Sequence, residues 1–256
     1  MTTDSYTDTR ESTGPTTNAP ASPERLVALA CRVLADRGLA EDILGHVSVR
    51  SGDGALYVRS RGPRERGLLF TGPEDVHLVS MDGDTPLADG YKAPNELPIH
   101  REVLRARPDV AAVVHVHPPA VVAADLAGLT LAPVVGAYNI PAMRMAHEGI
   151  PVYPRGVLIN SDELGREVAA TLGDRPVCLL HGHGIVATGV SVQQAVVRAL
   201  NITALAQIML LASQHGAPVP LPAEDIAELP DLGSAFNDEM VWRSYVARLA
   251  LRGLDI

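Results

Sequence analysis

The sequence contains few aromatic residues and no excess of positive charge. Aromatic residues make up 4% of the 256 residues, so the core must be built mainly from aliphatic side chains, which suits a sheet covered by helices. The formal net charge is -9, whereas binding to nucleic acid needs an excess of Lys and Arg to neutralise phosphates. We therefore expect no nucleic-acid partner.

Long apolar runs and a dense cysteine pattern are also missing. No stretch approaches the roughly 18 continuous apolar residues of a membrane span, and the first 20 residues carry no apolar segment of a secretory signal. The two cysteines, Cys31 and Cys178, lie far apart in apolar stretches and are expected to be buried free thiols. We therefore expect a cytoplasmic protein with no membrane partner.

The polar N-terminus contrasts with the rest of the chain. Residues 1–21 are rich in Thr, Ser and Pro and nearly free of large apolar groups, which predicts a disordered tail. A chain of 256 residues fits one α/β domain, and we assign residues 22–256 to it. Its first helix is predicted to begin at Ser22 and Pro23 and to end at Gly38.

Helical and strand patterns follow one another without strict alternation. This mixture predicts an α/β fold of three layers, with a mixed central β-sheet and helices on both faces. Further helices are predicted over 97–106, 119–127, 162–172, 191–216 and 235–252. Strands are predicted over 46–50, 55–58, 67–71, 76–80, 110–117, 130–135, 150–153 and 176–181.

Two pairs of histidines stand at the ends of predicted strands. His115 and His117 are two residues apart, so their imidazoles point to the same face of a strand and can hold one metal ion. A single histidine would more often be a hydrogen-bonded structural residue, but burying a pair without a shared ligand is costly. His181 and His183 form the second pair, and spacing alone does not decide which of them completes a three-histidine site.

Two other candidate residues have ordinary structural explanations. Glu96 precedes the helix predicted at 97–106, where a carboxylate usually stabilises the positive end of the helix. His46 follows Gly45 and fits either a substrate carboxylate or the end of a strand. No partner at ligand spacing accompanies the remaining histidines, which we expect to be structural or surface residues: His77, His100, His147 and His215.

Three motifs together resemble the class II aldolase/adducin-like family. They are GHVSVR at 45–50, NELPIHREVLRARPDVAAVVHVHPP at 95–119 and LLHGHGIVATG at 179–189. The resemblance covers roughly residues 25–215, and the middle motif is its most specific part. It implies a mixed sheet between helices, a homotetramer with active sites at subunit interfaces, and a divalent metal, Zn²⁺ first and Mn²⁺ or another divalent ion as alternatives.

The resemblance also implies roles for particular residues. The metal ligands fall on His115, His117 and His183, and the acid/base falls on Glu96. Tyr138 and Tyr245 are looser matches to tyrosines near the substrate, and we assign Tyr138 a catalytic role. The substrate-binding positions are then His46, Thr71, Asn95 and Tyr245.

Departures from the family pattern narrow the substrate. His46 replaces an Asn, Thr71–Gly72 stands where Ser-Gly occurs, and two serines are missing before Glu96. Phosphate binding needs several convergent donors, so their loss argues against a sugar phosphate. Arg59, Arg61 and Arg64 instead suit a carboxylate. We predict a metal-dependent carbon–carbon lyase, a decarboxylase of a hydroxylated carboxylic acid, with an aldolase and then a non-catalytic adducin-like module as alternatives.

Overall fold

The computed structural model describes residues 21–52 and 54–256, and the tail predicted over 1–21 lies, apart from Ala21, outside them. The strands are β1 (His46–Ser51), β2 (Ala55–Arg59), β3 (Val76–Ser80), β4 (Ala112–Val116), β5 (Val152–Tyr153), β6 (Val177–Leu180) and β7 (Gly184–Gly189). The α-helices are α1 (Pro23–Asp36), α2 (Leu97–Ala106), α3 (Pro119–Leu126), α4 (Ile140–Glu148), α5 (Asp162–Leu172), α6 (Val192–Ser213), α7 (Ala223–Glu228) and α8 (Val241–Leu251).

The strands form one sheet in the order β3-β2-β1-β4-β7-β6-β5. Neighbouring strands are antiparallel except β5 and β6, which are parallel, so the sheet is mixed as predicted. β4 lies at the centre of this order. His115 on β4 pairs with His46 of β1 on one side and with Val186 of β7 on the other.

Helices cover both faces of the sheet, which confirms the predicted three layers. One core cluster joins α1, α3, α4, α6 and α8 to one face, through side chains such as Val47 and Val114. The other cluster joins α2 and α5 to the opposite face, through side chains such as Val113 and Val186. Because successive strand residues alternate faces, His115 lies on the side of Val113, under α2.

The longest helix, α6, has an apolar sequence because it is buried in the core. By length and composition it could cross a membrane, and slightly more than half of its most apolar window is buried inside the fold. It packs against α1, α3, α4, β4 and β7. Burial around much of its circumference therefore accounts for its apolar sequence.

Two predicted strands are wrong. Within 67–71, residues Leu68–Phe70 form a short 3₁₀ helix that packs on α1, because Gly67 turns the chain at φ 95° and Leu68 is buried there. Residues 130–135 form no strand, since Pro133 cannot donate to a ladder and the Val134 amide closes a turn onto Ala132.

Three elements were missed. Strand β7 lies between two glycines, and Gly184 is required because a Cβ there would lie 2.3 Å from the Val116 carbonyl oxygen. Helices α4 and α7 are short, and no prediction was made over them. In addition, the last predicted helix begins with a π-helical turn, Ala235–Met240, before α8.

The packing of α2 on α5 gives a test of the fold. A Cβ at Gly165 on α5 would lie 2.6 Å from the Pro98 carbonyl oxygen and 2.9 Å from Glu102 Cγ. Gly165→Ala gains helix propensity, but separating the two helices should cost more, and we expect a net loss of about 1–3 kcal/mol of unfolding free energy. Urea denaturation measures the change. Gly54→Ala, where no atom lies within 4 Å, is the control, and a more stable Gly165→Ala protein would contradict this packing.

Candidate metal centre

The centre of the sheet brings the first histidine pair to the side of α2. His115 lies near the end of β4, and His117 follows just beyond it. The two Nε2 atoms are 2.9 Å apart, so the predicted same-face placement is confirmed. His115 is fully buried, whereas His117 is partly buried and reaches toward the surface.

The tautomer of His115 is fixed by β7. Its Nδ1 atom lies 2.9 Å from the Ile185 carbonyl oxygen, which can only accept a hydrogen bond. Nδ1 must therefore carry the proton, and Nε2 presents a lone pair to His117 and to Glu96 Oε2, 3.2 Å away. A neutral imidazole held in this way is ready to bind a metal.

The second histidine pair is divided by the turn between β6 and β7. His183 Nε2 lies 3.5 Å from Glu96 Oε1, inside the cluster. His181 is instead about half exposed, and its Nδ1 lies 2.9 Å from Asp125 Oδ2, which also accepts the Gly182 amide. The structure thus brings His183, and not His181, to the first pair.

Glu96 closes the cluster from the start of α2. The Ile159 amide donates to its Oε1 at 3.0 Å, which leaves Oε2 facing His115 and His46. Glu96 makes no side-chain hydrogen bond that caps α2, so the capping explanation does not describe its contacts. One ligand atom each from Glu96, His115, His117 and His183 lies within 4.8 Å of the others.

A buried chain of hydrogen bonds lies beneath His46. Ser48 Oγ is 2.6 Å from His100 Nδ1, and His100 Nε2 is 2.7 Å from His46 Nδ1. The Ser48 hydroxyl makes no other hydrogen bond among the described residues, so we assign it as the donor to His100. His100 then donates to His46, whose own proton is on Nε2, 3.8 Å from Glu96 Oε2.

His100 was predicted to be a structural or surface residue without a partner. It is fully buried one turn after Glu96 on α2 and contacts His46 directly. A search for ligand spacing could not find it, because its partner is 54 positions away on β1. The i, i+4 spacing from Glu96, which places both side chains on one helix face, is the signal that could have suggested it.

Burial keeps the imidazoles neutral. It lowers the pKa of His46 to about 4 and the pKa of His117 to about 3. The pKa values of His100 and His183 are lowered for the same reason. Burial alone would raise the pKa of Glu96, but the protonated forms of His115 and His46, which donate to the carboxylate, outweigh burial and hold that pKa well below the ordinary value.

The other predicted substrate residues lie outside this cluster or at its border. Asn95 is exposed beside Glu96. Thr71 is buried, with Arg32 of α1 donating to its carbonyl oxygen at 2.7 Å. Tyr138 is 73% exposed before α4, and Tyr245 of α8 packs on the first core cluster under the Arg37 guanidinium. None of the contacts recorded for the last three residues is with the cluster, and their roles stay predictions.

The donor set fits a divalent metal ion. The ligand atoms of His115, His117, His183 and Glu96 lie within 4.8 Å of one another, and the His115 tautomer leaves the Nε2 lone pair free for a metal. Three imidazoles beside a carboxylate are typical ligands of catalytic zinc and related ions. Without a cation, this lone pair would lie 3.2 Å from the buried Glu96 carboxylate, which is unfavourable.

Comparisons with known proteins found a matching family model and similar enzymes. A family model described as the Class II Aldolase and Adducin N-terminal domain matches residues 25–210. The 3,4-dihydroxyphthalate decarboxylase of Arthrobacter keyseri is 54% identical over 235 residues, which is 90% of this chain and 95% of that protein. The L-fuculose phosphate aldolase of Escherichia coli K12 is 30% identical over 204 residues, 79% of this chain and 90% of the aldolase.

A solved structure supports the fold independently. An aldolase II superfamily protein from Pseudomonas syringae superposes with a TM-score of 0.75 over 91% of this chain and 94% of its own, at 23% identity. At that identity the likeness concerns the fold alone.

The lowered histidine pKa values predict that the metal-free protein loses stability in mild acid. In the folded chain His46 and His117 titrate near pH 4 and 3, whereas in the unfolded chain they titrate near 6.5. The contribution of these two neutral imidazoles to the unfolding free energy is therefore complete above about pH 6.5. It is lost as the pH falls toward their pKa values in the folded chain. We expect the unfolding free energy to fall by about 2 kcal/mol or more from pH 7 to pH 5.

Urea denaturation of the EDTA-treated protein across this pH range measures how steeply the unfolding free energy depends on pH. His117→Gln should reduce it, and His147→Gln, at an exposed site on α4, should leave it unchanged. A stability that does not vary between pH 7 and pH 5 would contradict the assignment of neutral, buried imidazoles.

Proposed function

The chain belongs to the class II aldolase and adducin family and is a carbon–carbon lyase, and we propose that it decarboxylates 3,4-dihydroxyphthalate or a closely related catechol carboxylate. The observation that carries this proposal is the cluster of Glu96, His115, His117 and His183. It occurs in a chain that is 54% identical to a 3,4-dihydroxyphthalate decarboxylase over nearly the whole length of both. A non-catalytic module would have no need to bury these groups together.

The family and the cluster indicate a divalent metal ion, and we propose His115, His117 and His183 as its ligands. Zn²⁺ suits three imidazoles best, and Mn²⁺ or another divalent ion is the alternative. When bound, the ion supplies a Lewis acid that stabilises negative charge on the substrate oxygens. The chain itself must then orient the carboxylate that leaves and move one proton.

Glu96 is the proposed acid/base. Its pKa is held below the ordinary value, so it is ionised at neutral pH and enters the reaction as a base. The Ile159 amide anchors Oε1, which leaves Oε2 to accept the proton of the hydroxyl beside the departing carboxylate. Negative charge on the bound substrate raises the proton affinity of Glu96, which lets the carboxylate take the hydroxyl proton and hold it until the ring carbon accepts it.

The decarboxylation balances in protons and electrons when Glu96 and solvent supply the protons. When the bond between the ring and the carboxylate breaks, CO₂ leaves and the electron pair remains on the ring carbon. That carbon takes the proton held by Glu96, and one proton from solvent restores the hydroxyl. The net change is replacement of one carboxylate by hydrogen.

His46 is proposed to orient the substrate. The chain from Ser48 through His100 fixes its ring and leaves the Nε2 proton facing Glu96. Because His46 is neutral and buried, it can donate a hydrogen bond to a carboxylate without itself gaining a proton. Thr71 and Asn95 remain proposed substrate-binding residues on the strength of the family resemblance.

We further propose a cytoplasmic homotetramer with active sites at subunit interfaces. The exposure of Tyr138 in the single chain supports a role for this residue at an interface, where it or Tyr245 would approach the substrate of a site. The cysteines Cys31 and Cys178 are free and buried, which suits a reducing compartment.

An assay of CO₂ release from 3,4-dihydroxyphthalate by the metal-loaded protein tests the proposed reaction. EDTA treatment should abolish the activity, and the same metal should restore it. Glu96→Gln should lower kcat by about 10²- to 10⁴-fold, because the variant cannot accept the hydroxyl proton. Glu163→Gln, at an exposed position on α5, is the matched control and should behave like the wild-type protein.

Circular dichroism and metal content establish that Glu96→Gln remains folded and loaded. Failure of the loaded wild-type protein to release CO₂ would overturn the decarboxylase proposal. Formation of an aldehyde from a hydroxy acid or sugar phosphate would assign the chain to the aldolases instead. Full activity of Glu96→Gln would remove this residue from the chemistry.

A further inference from the structure

Three arginines, Arg59 at the end of strand β2 and Arg61 and Arg64 after it, differ in their contacts. Arg59 is 2% exposed and forms an ion pair with Glu65, so its charge is already neutralised. Arg64 is exposed and lines a cavity of about 700 Å³ that none of the cluster residues borders. Arg61 is partly buried and forms no ion pair with any carboxylate among the described residues.

The Arg61 guanidinium retains unused hydrogen-bond donors. Nη2 reaches the Ile43 carbonyl oxygen only at 3.4 Å, and Nε is buried without a partner among residues 21–52 and 54–256. A buried donor left unsatisfied costs free energy unless a ligand accepts from it. A planar guanidinium with free donors matches the two oxygens of a carboxylate.

Arg61 also contacts the chain segments that lead to His46 and Glu96. Its backbone forms two hydrogen bonds of 2.9 Å with Lys92, four positions before Glu96. Ile43, which its side chain contacts, lies three positions before His46. The positive charge of Arg61 is close enough to His46 to help lower the pKa of that imidazole. Arg61 thus contacts both chain segments that lead to the cluster, through its side chain the one before His46 and through its backbone the one before Glu96.

The proposed substrate needs a cationic group beside its second carboxylate. 3,4-Dihydroxyphthalate carries two neighbouring carboxylates, and the reaction removes the one beside a hydroxyl. The other stays ionised throughout, and removing it from water without a cationic partner is costly. We infer that Arg61 binds the carboxylate that remains on the ring and so selects dicarboxylates over monocarboxylates. This inference rests on the proposed function.

A pair of substrates isolates this contact. 2,3-Dihydroxybenzoate has the same arrangement of one carboxylate and two hydroxyls as 3,4-dihydroxyphthalate, but lacks the second carboxylate. For Arg61→Gln we expect KM for the dicarboxylate to rise by about 10- to 100-fold, as for a lost charge-assisted hydrogen bond. The kcat/KM for the monocarboxylate should change by less than about threefold, within the range of surface substitutions.

Two further variants control for indirect effects. Arg61→Lys keeps the charge but loses the planar fork, so it should recover part of the preference for the dicarboxylate. Arg64→Gln removes an exposed charge from the same loop and should retain the wild-type preference. An equal loss on both substrates in Arg61→Gln, or an unchanged preference, would overturn the inference while leaving the decarboxylase proposal intact.

Release of CO₂ from neither compound by the loaded wild-type protein would overturn the proposed function. In that case the role of Arg61 is tested by binding measurements. Phthalate and benzoate, which differ by one carboxylate, then serve as probes in calorimetric titrations. Tighter binding of phthalate that is lost in Arg61→Gln would support a carboxylate site at Arg61. Equal binding of phthalate by the wild-type and variant proteins would exclude it.

Discussion

The hydrogen bond from His115 Nδ1 to the Ile185 carbonyl oxygen is the interaction on which the site depends. It exists because β4 is paired with β7 in a register that brings Ile185 beside Val116. The bond fixes both the tautomer and the ring plane of His115, so that Nε2 faces His117 and Glu96. A slip of one residue in this register would turn the imidazole to the opposite face of the sheet.

Burial then determines how the charges are distributed. The imidazoles are kept neutral because a protonated ring would be poorly solvated beneath α2, whereas Glu96 keeps its charge through the Ile159 amide and the Nε2 proton of His46. The result is a set of electron-pair donors around one point, which favours a cation. A substrate with adjacent hydroxyl and carboxylate oxygens suits the same point, and a second anionic group suits the unused donors of Arg61.

Local patterns predicted the parts of this structure that local physics controls. Helices α2 and α5 have the bounds predicted for them, and the spacing of His115 and His117 was enough to put both on one face. The family resemblance selected His183 over His181. The structure gives the reason, since Asp125 engages His181 and the Gly182 amide and so directs His181 away from the cluster.

Features that depend on distant contacts could not be predicted in this way. His100 joins the site through a partner 54 positions away, and the Ile159 amide reaches Glu96 across 63 positions. Residues 67–71 have the composition of a strand, but contacts with α1 make them a 3₁₀ turn. Neither local propensity nor periodicity contains information about such contacts.

X-ray absorption spectroscopy of the zinc-loaded protein tests the central claim most directly. The account predicts three imidazole nitrogens at about 2.0–2.1 Å from the metal. It also predicts that His183→Ala removes one of them and that His181→Ala removes none. A zinc ion bound through His181, or bound by fewer than three imidazoles in the wild-type protein, would contradict the account.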